Sequence, residues 1–206
     1  MIRLRTLIGD QRGASAAEYA LVLPLLLIVL FGTIDVGRYA WSLNQAQKAT
    51  QIGARWAVAT DAIPSIYGYS FATTGGIPQG TIVPEASFPT IECKTVSGTP
   101  ACSCAGNLSF CVIEPNKGSA AFTNLVNRMA KIEPDITANN VVVTYAWSGL
   151  GFAGDPNGPD VAPLTTVSLR NLNFAPFTSL IFGGQVSLPA FAYSLPMEDG
   201  SGTSSN

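Results

Sequence analysis

RGASAAEYALVLPLLLIVLFGTIDVGR, residues 12–38, holds fifteen consecutive uncharged residues, Ala20–Ile34, between two carboxylates. A membrane-spanning helix needs about 20 mostly apolar residues. Extending the run to that length places Asp35 at one end of the span, where a charge is expected. The same extension carries Glu18 inside the other end, where a charge is not. The span is therefore read as Ala14–Asp35, with Glu18 left to be explained. Beyond it, VGRYAWSLNQAQKATQIGARWAVAT has no proline, and Val36, Ala40, Leu43, Ala46, Thr50 and Ala54 recur every three or four residues. That spacing is one helical face of small and apolar side chains. One helix from Ala14 to about Ala59 would be roughly 70 Å long at 1.5 Å per residue. Its stripe has two candidate partners, another subunit or the C-terminal part of this chain.

The residues before the span set its direction. Arg3, Arg5 and Arg12 face a single acid, Asp10, and basic residues beside an apolar segment keep that end in the cytoplasm. A secretory signal peptide shares the basic start and the apolar core. Here, however, the run is long, no small-x-small cleavage pattern closes it, and the helical pattern continues past it. The chain is thus read as anchored, with the remainder exported.

Composition narrows the chemistry. Among 206 residues, 47% are hydrophobic and only 12% charged, against roughly 25% charged in soluble domains. The net charge is −2 and no basic tract follows the N-terminus, which speaks against nucleic acid as a partner. Histidine is absent, so Ser-His-Asp and Cys-His catalysis and imidazole-ligated zinc are excluded. No paired catalytic carboxylates, nucleophile elbow or cofactor fingerprint occurs, and neither enzyme activity nor a cofactor is expected. Asp155 and Asp160 in GLGFAGDPNGPD lack the ligand spacing of a calcium loop.

Residues 64–118 are rich in Gly, Pro, Ser and Thr and read as irregular with short strands. They hold all four cysteines, Cys93, Cys102, Cys104 and Cys111. In an exported region disulfides are the default. Cys102 and Cys104 are too close to bridge easily, so each should pair outward, to Cys93 and Cys111 in either order. The rival, four-thiolate zinc, usually shows C-x2-C pairs, which are absent. Next, Phe122, Leu125, Val126 and Met129 define an amphipathic helix with Ser119 as its N-cap. Three strands follow, in Val141–Trp147, APLTTVSLRNLNF and QVSLPAFAYSLP, the first two separated by an Asp-Pro-Asn-Gly turn. The fold class is α+β: a long N-terminal transmembrane helix running into a small exported domain with a short antiparallel sheet.

Gly13, Glu18, Tyr19, Pro24, Phe31-Gly32, Asp35, Gly37-Arg38, Asn44 and Gly53-Ala54-Arg55 together resemble the TadE-like pseudopilins of the tight-adherence (Flp, type IVc) pilus system. The resemblance covers roughly residues 12–59. It implies cutting by a membrane prepilin peptidase between Gly13 and Ala14, which makes Glu18 the fifth residue of the mature chain. Glu18 then lies about 7 Å along the helix from the new α-amino group. A carboxylate deep in a bilayer costs about 2.5–3.5 kcal/mol, and a neighbouring subunit's amino group offsets that cost. By position alone, Glu18 can equally sit among headgroups and contact water. Pro24 should bend or loosen the span. Asp35 and Arg38, three apart on one face, read as a solvated pair that marks the outer interface.

The expected organisation is a cytoplasmic basic leader (1–13), a transmembrane helix (14–35), a helix extension (36–60), a periplasmic α+β domain (61–197) and a flexible tail (198–206). The expected function is that of a minor pseudopilin in the bacterial inner membrane, N-terminus inside, structural and not catalytic. Its implied partners are the prepilin peptidase, other pilins and pseudopilins, the inner-membrane assembly platform and the lipid bilayer. The alternative is an anchored periplasmic binding or adhesion domain that never enters a pilus.

Overall fold

A computed structural model describes residues 13–106, 108–114, 116–156, 158–197 and 202–203. The basic leader before Gly13 lies outside the described residues, as does most of the 198–206 tail. Helix α1 spans Ala14–Ala59 without interruption and contains Pro24. Pro24 lacks the N–H that would bond the Ala20 carbonyl, yet the helix continues through it, because a single lost bond leaves the flanking turns intact. At its C-terminal end the Thr60 hydroxyl turns back to the Trp56 carbonyl at 2.7 Å. The chain falls into two compact units, residues 1–41 with 174–186 and residues 42–173 with 187–206.

The larger unit is an α+β head. Its sheet contains β1 (Ile91–Val96), β2 (Thr99–Ser103), β3 (Val141–Ala146), β4 (Leu164–Leu169) and, after two short strands, a long final one. The short strands β5 (Asn173–Phe174) and β6 (Val186–Ser187) pair only with each other, and β7 (Phe191–Pro196) closes the sheet in the order β2-β1-β3-β4-β7. Every neighbouring pair is antiparallel. Register puts Ile91, Tyr145 and Thr165 in one row, Cys93, Val143 and Val167 in the next, and Val141 beside Leu169. None of these eight side chains is more than 1% exposed, so this face is fully covered over the three central strands, while β2 and β7 at the edges are only partly buried.

Two helices supply the cover. Helix α2 (Lys117–Ala130) buries Phe122, Leu125, Val126 and Met129, the face its sequence spacing predicts. Each such side chain, fully buried, contributes about 1.5–3 kcal/mol. The second half of α1 buries Ala46, Ala49, Thr50, Gly53, Ala54, Ala57 and Val58. At Gly53 the approach is so close that a Cβ would meet the Met129 Sδ at 2.8 Å and Val167 Cγ1 at 3.4 Å. The small-residue stripe from Ala46 onward thus packs on this chain's own head, while Val36 stays 70% exposed.

Several local expectations change. Helix α2 begins at Lys117 and not after Ser119; Asn116 precedes it at φ 65° with no side-chain cap, a backbone state that asparagine tolerates. The third expected strand is split into β6 and β7, because Pro189 has no N–H for a ladder and Leu188 instead donates to the Leu172 carbonyl. The short strands expected within the irregular stretch are β1 and β2, paired as a hairpin turned by Ser97 and Gly98 at φ 50° and 85°. Two residues with positive φ make the turn whose twist suits a hairpin. Both disulfides are present, Cys93–Cys102 across that hairpin and Cys104–Cys111 in the loop after it. The second loop delivers Phe110 to a satellite core, where it stacks on Phe88 at 5.7 Å and meets Tyr69 and Phe71.

Candidate membrane and assembly site

The N-terminal part of α1 offers apolar side chains on every side. Leu21, Val22, Leu25, Leu26, Val29 and Leu30 are 47–79% exposed, and the mean hydropathy of the best 18-residue window is 2.4. A helix that is apolar all round belongs in a core or a bilayer, and only 6% of this window is buried within the protein. The helix is long and apolar enough to cross a membrane. Eleven Leu, Ile, Val and Phe residues lie between Ala20 and Ile34. At about −0.3 to −0.6 kcal/mol each near mid-membrane, they outweigh one carboxylate at about 2.5–3.5 kcal/mol. One charge near the entry does not forbid insertion.

That charge is Glu18. It is exposed and forms no hydrogen bond or ion pair with another described residue. Gly13 is exposed too, and a Cβ built on it would meet nothing within 4 Å. Gly13 and Glu18 therefore stand exposed on an open helix start.

At the other end of the apolar run the sequence reading of Asp35 needs correction. Asp35 is 6% exposed, not a solvated marker. Its Oδ1 accepts the Phe177 N–H at 2.7 Å, and its Oδ2 accepts the Thr178 N–H at 2.8 Å and the Thr178 hydroxyl at 2.9 Å. These donors precede a single helical turn, α3 (Ser179–Phe182). Arg38 approaches Asp35 only at 3.4 Å. Its guanidinium lies instead over the Phe177 ring, 4.1 Å from the centroid, and 5.2 Å from that of Phe174. Tyr39 meets Phe174 edge-on at 5.6 Å. Charge-assisted bonds to backbone N–H groups are stronger than neutral ones, so the carboxylate is the principal tie between α1 and the 174–186 loop. Spacing along one helix could not show this, since the donors lie some 140 residues away. The available signal was compositional: no charge occurs between Arg170 and Glu198, and FAPFTSLIF is strongly apolar.

Asp160, the weak calcium candidate, is 5% exposed and already used. Its two oxygens accept the Phe71 N–H at 2.6 Å and the Asp155 N–H at 3.1 Å, clamping two loops. Among the described residues, no group of three or more His, Cys, Asp or Glu is gathered as a metal site would require.

Comparison with known proteins adds one finding. Residues 13–55 match the family model described as TadE-like protein. The match starts at the glycine of the open helix start and ends at Arg55 in the part of α1 packed on the head. No curated protein and no solved structure matches the chain.

Proposed function

We propose that this protein is a minor pseudopilin of a tight-adherence (Flp, type IVc) pilus, structural and not catalytic. The family match over residues 13–55 carries the reading; the open helix start and the exposed apolar run support it. In this reading the prepilin peptidase cuts between Gly13 and Ala14. The mature protein stays in the inner membrane with its N-terminus on the cytoplasmic side and its head in the periplasm. There it meets the assembly platform and other pilins. Glu18, fifth in the mature chain, then accepts the α-amino group of a neighbouring subunit. Insertion into a bundle of such helices relieves the cost of a lone carboxylate in lipid. Helix α1 has the length to cross the bilayer and continue into the head.

The test is intact-mass analysis of membrane-extracted protein from cells with and without the peptidase. Loss of the first 13 residues only where the peptidase is present is the expected result. A full-length mass in both would end the pseudopilin reading and leave a plain membrane anchor.

A further inference from the structure

The 174–186 loop is more apolar than a periplasmic connection needs to be. Leu180 is 86% exposed, Phe177 47% and Val186 46%. Phe177 and Leu180 line one shallow apolar pocket together with Phe31 and Ile34 of α1. Phe31 and Ile34 are the last apolar residues of the span, so whatever solvates them also reaches Phe177 and Leu180. The loop's polar backbone is provided for at the same place: the Asp35 carboxylate takes the Phe177 and Thr178 N–H groups, and Gly183 N–H donates to the Ser179 carbonyl at 2.7 Å. Backbone can enter an apolar medium only when its polar groups are so satisfied. Arg38, with its side chain 42% exposed, lies over Phe177 and can extend its charge outward, as interfacial arginines do.

We propose that residues 174–186 form a second membrane-contacting element. The loop lies in the leaflet that α1 leaves at Asp35, Phe177 and Leu180 enter the acyl region, and Asp35 holds the loop there. The occupant of the apolar surface is lipid, by continuity with the span and by the absence of any charge from residue 171 to 197. This rests on α1 spanning the membrane, but not on entry into a pilus.

The experiment places the photoreactive residue p-benzoylphenylalanine at Leu180, or at Val29 in mid-span, in the full-length protein. The protein is reconstituted in vesicles of phosphatidylethanolamine and phosphatidylglycerol, irradiated, and its adducts identified by mass spectrometry. Lipid adducts at both positions in comparable yield are expected. Adding Asp35→Ala should remove most of the adduct at 180 and leave that at 29 unchanged. Lipid at 29 with a second copy of the chain, or nothing, at 180 would overturn the inference while α1 remains a span. Lipid at neither position would overturn both.

Discussion

Two glycines show how one methyl group is weighed by what it meets. A Cβ at Gly118 would collide with the Ile63 carbonyl oxygen, which is fixed by accepting the Glu114 N–H at 3.1 Å. Ala gains about 0.5–1 kcal/mol over Gly in a helix, but overpacking against rigid atoms costs about 1–3 kcal/mol. Gly118→Ala should therefore lower stability by about 1 kcal/mol or more. At Gly53 the obstacle is the Met129 side chain, which is flexible and adapts, so Gly53→Ala should be milder. Urea melts of detergent-solubilised protein followed by circular dichroism would rank the two; the opposite order would refute the packing. Glu133 supplies a pH dependence. Burial pushes its carboxyl above the usual value of 4.5, the Asp135 N–H opposes this, and the Asp135 charge adds to it. The folded state then holds the proton more tightly than the unfolded chain. Its stabilising share is full below pH about 4.5 and is lost as pH rises through the higher folded value. Glu133→Gln should flatten that decline and raise the melting temperature at neutral pH; an unchanged pH profile would assign the loss to other groups.

Among the elements, α1 was legible from end to end. A long proline-poor run of helix formers needs no tertiary information, and its small-residue stripe could be read without knowing what covers it. The α2 face and strands β3 and β4 were legible for the same reason, since their periodicity is the burial pattern itself. Short strands were expected around β1 and β2, but their positions and pairing were not legible, because Gly, Pro and Ser surround them and the turn needs only Ser97-Gly98. Cysteine spacing spoke against a Cys102–Cys104 bridge but could not choose an order. The hairpin register does choose, by setting Cys93 opposite Cys102. Alkylation of unreduced protein should label no thiol, and fragmentation of the linked peptides should find Cys93–Cys102 and Cys104–Cys111. Reduction should lower the melting temperature, as loops somewhat shorter than 15 residues are each worth a little under about 3 kcal/mol. Free thiols, or Cys93 linked to Cys104, would contradict the fold of this region. The Asp35 tie was illegible for a different reason: a carboxylate and two backbone N–H groups far apart in sequence leave no pattern in either segment.

At the scale of the whole molecule, the proposed pseudopilin role predicts that assembly and folding have separate determinants. Glu18 is exposed, with no hydrogen bond or ion pair to another described residue, so its replacement should leave the stability of the fold unchanged. Glu18→Gln keeps size and most hydrogen-bonding capacity while removing the charge. An isolated span should then insert more easily, because the carboxylate's cost of about 2.5 kcal/mol or more disappears. In the proposed role the attraction to a neighbour's new α-amino group disappears with it, so recruitment into the pilus complex should fall. The proposed cut after Gly13 should change little, since the substitution leaves the exposed glycine and its small-residue neighbours in the sequence intact. Wild type and Glu18→Gln are to be compared for protein level, N-terminal mass and co-purification with other pilus subunits. Normal level and normal processing with lost co-purification is the expected combination. Unchanged co-purification with normal piliation would sink the pairing, and Glu18 would then be a carboxylate that faces water at the headgroups.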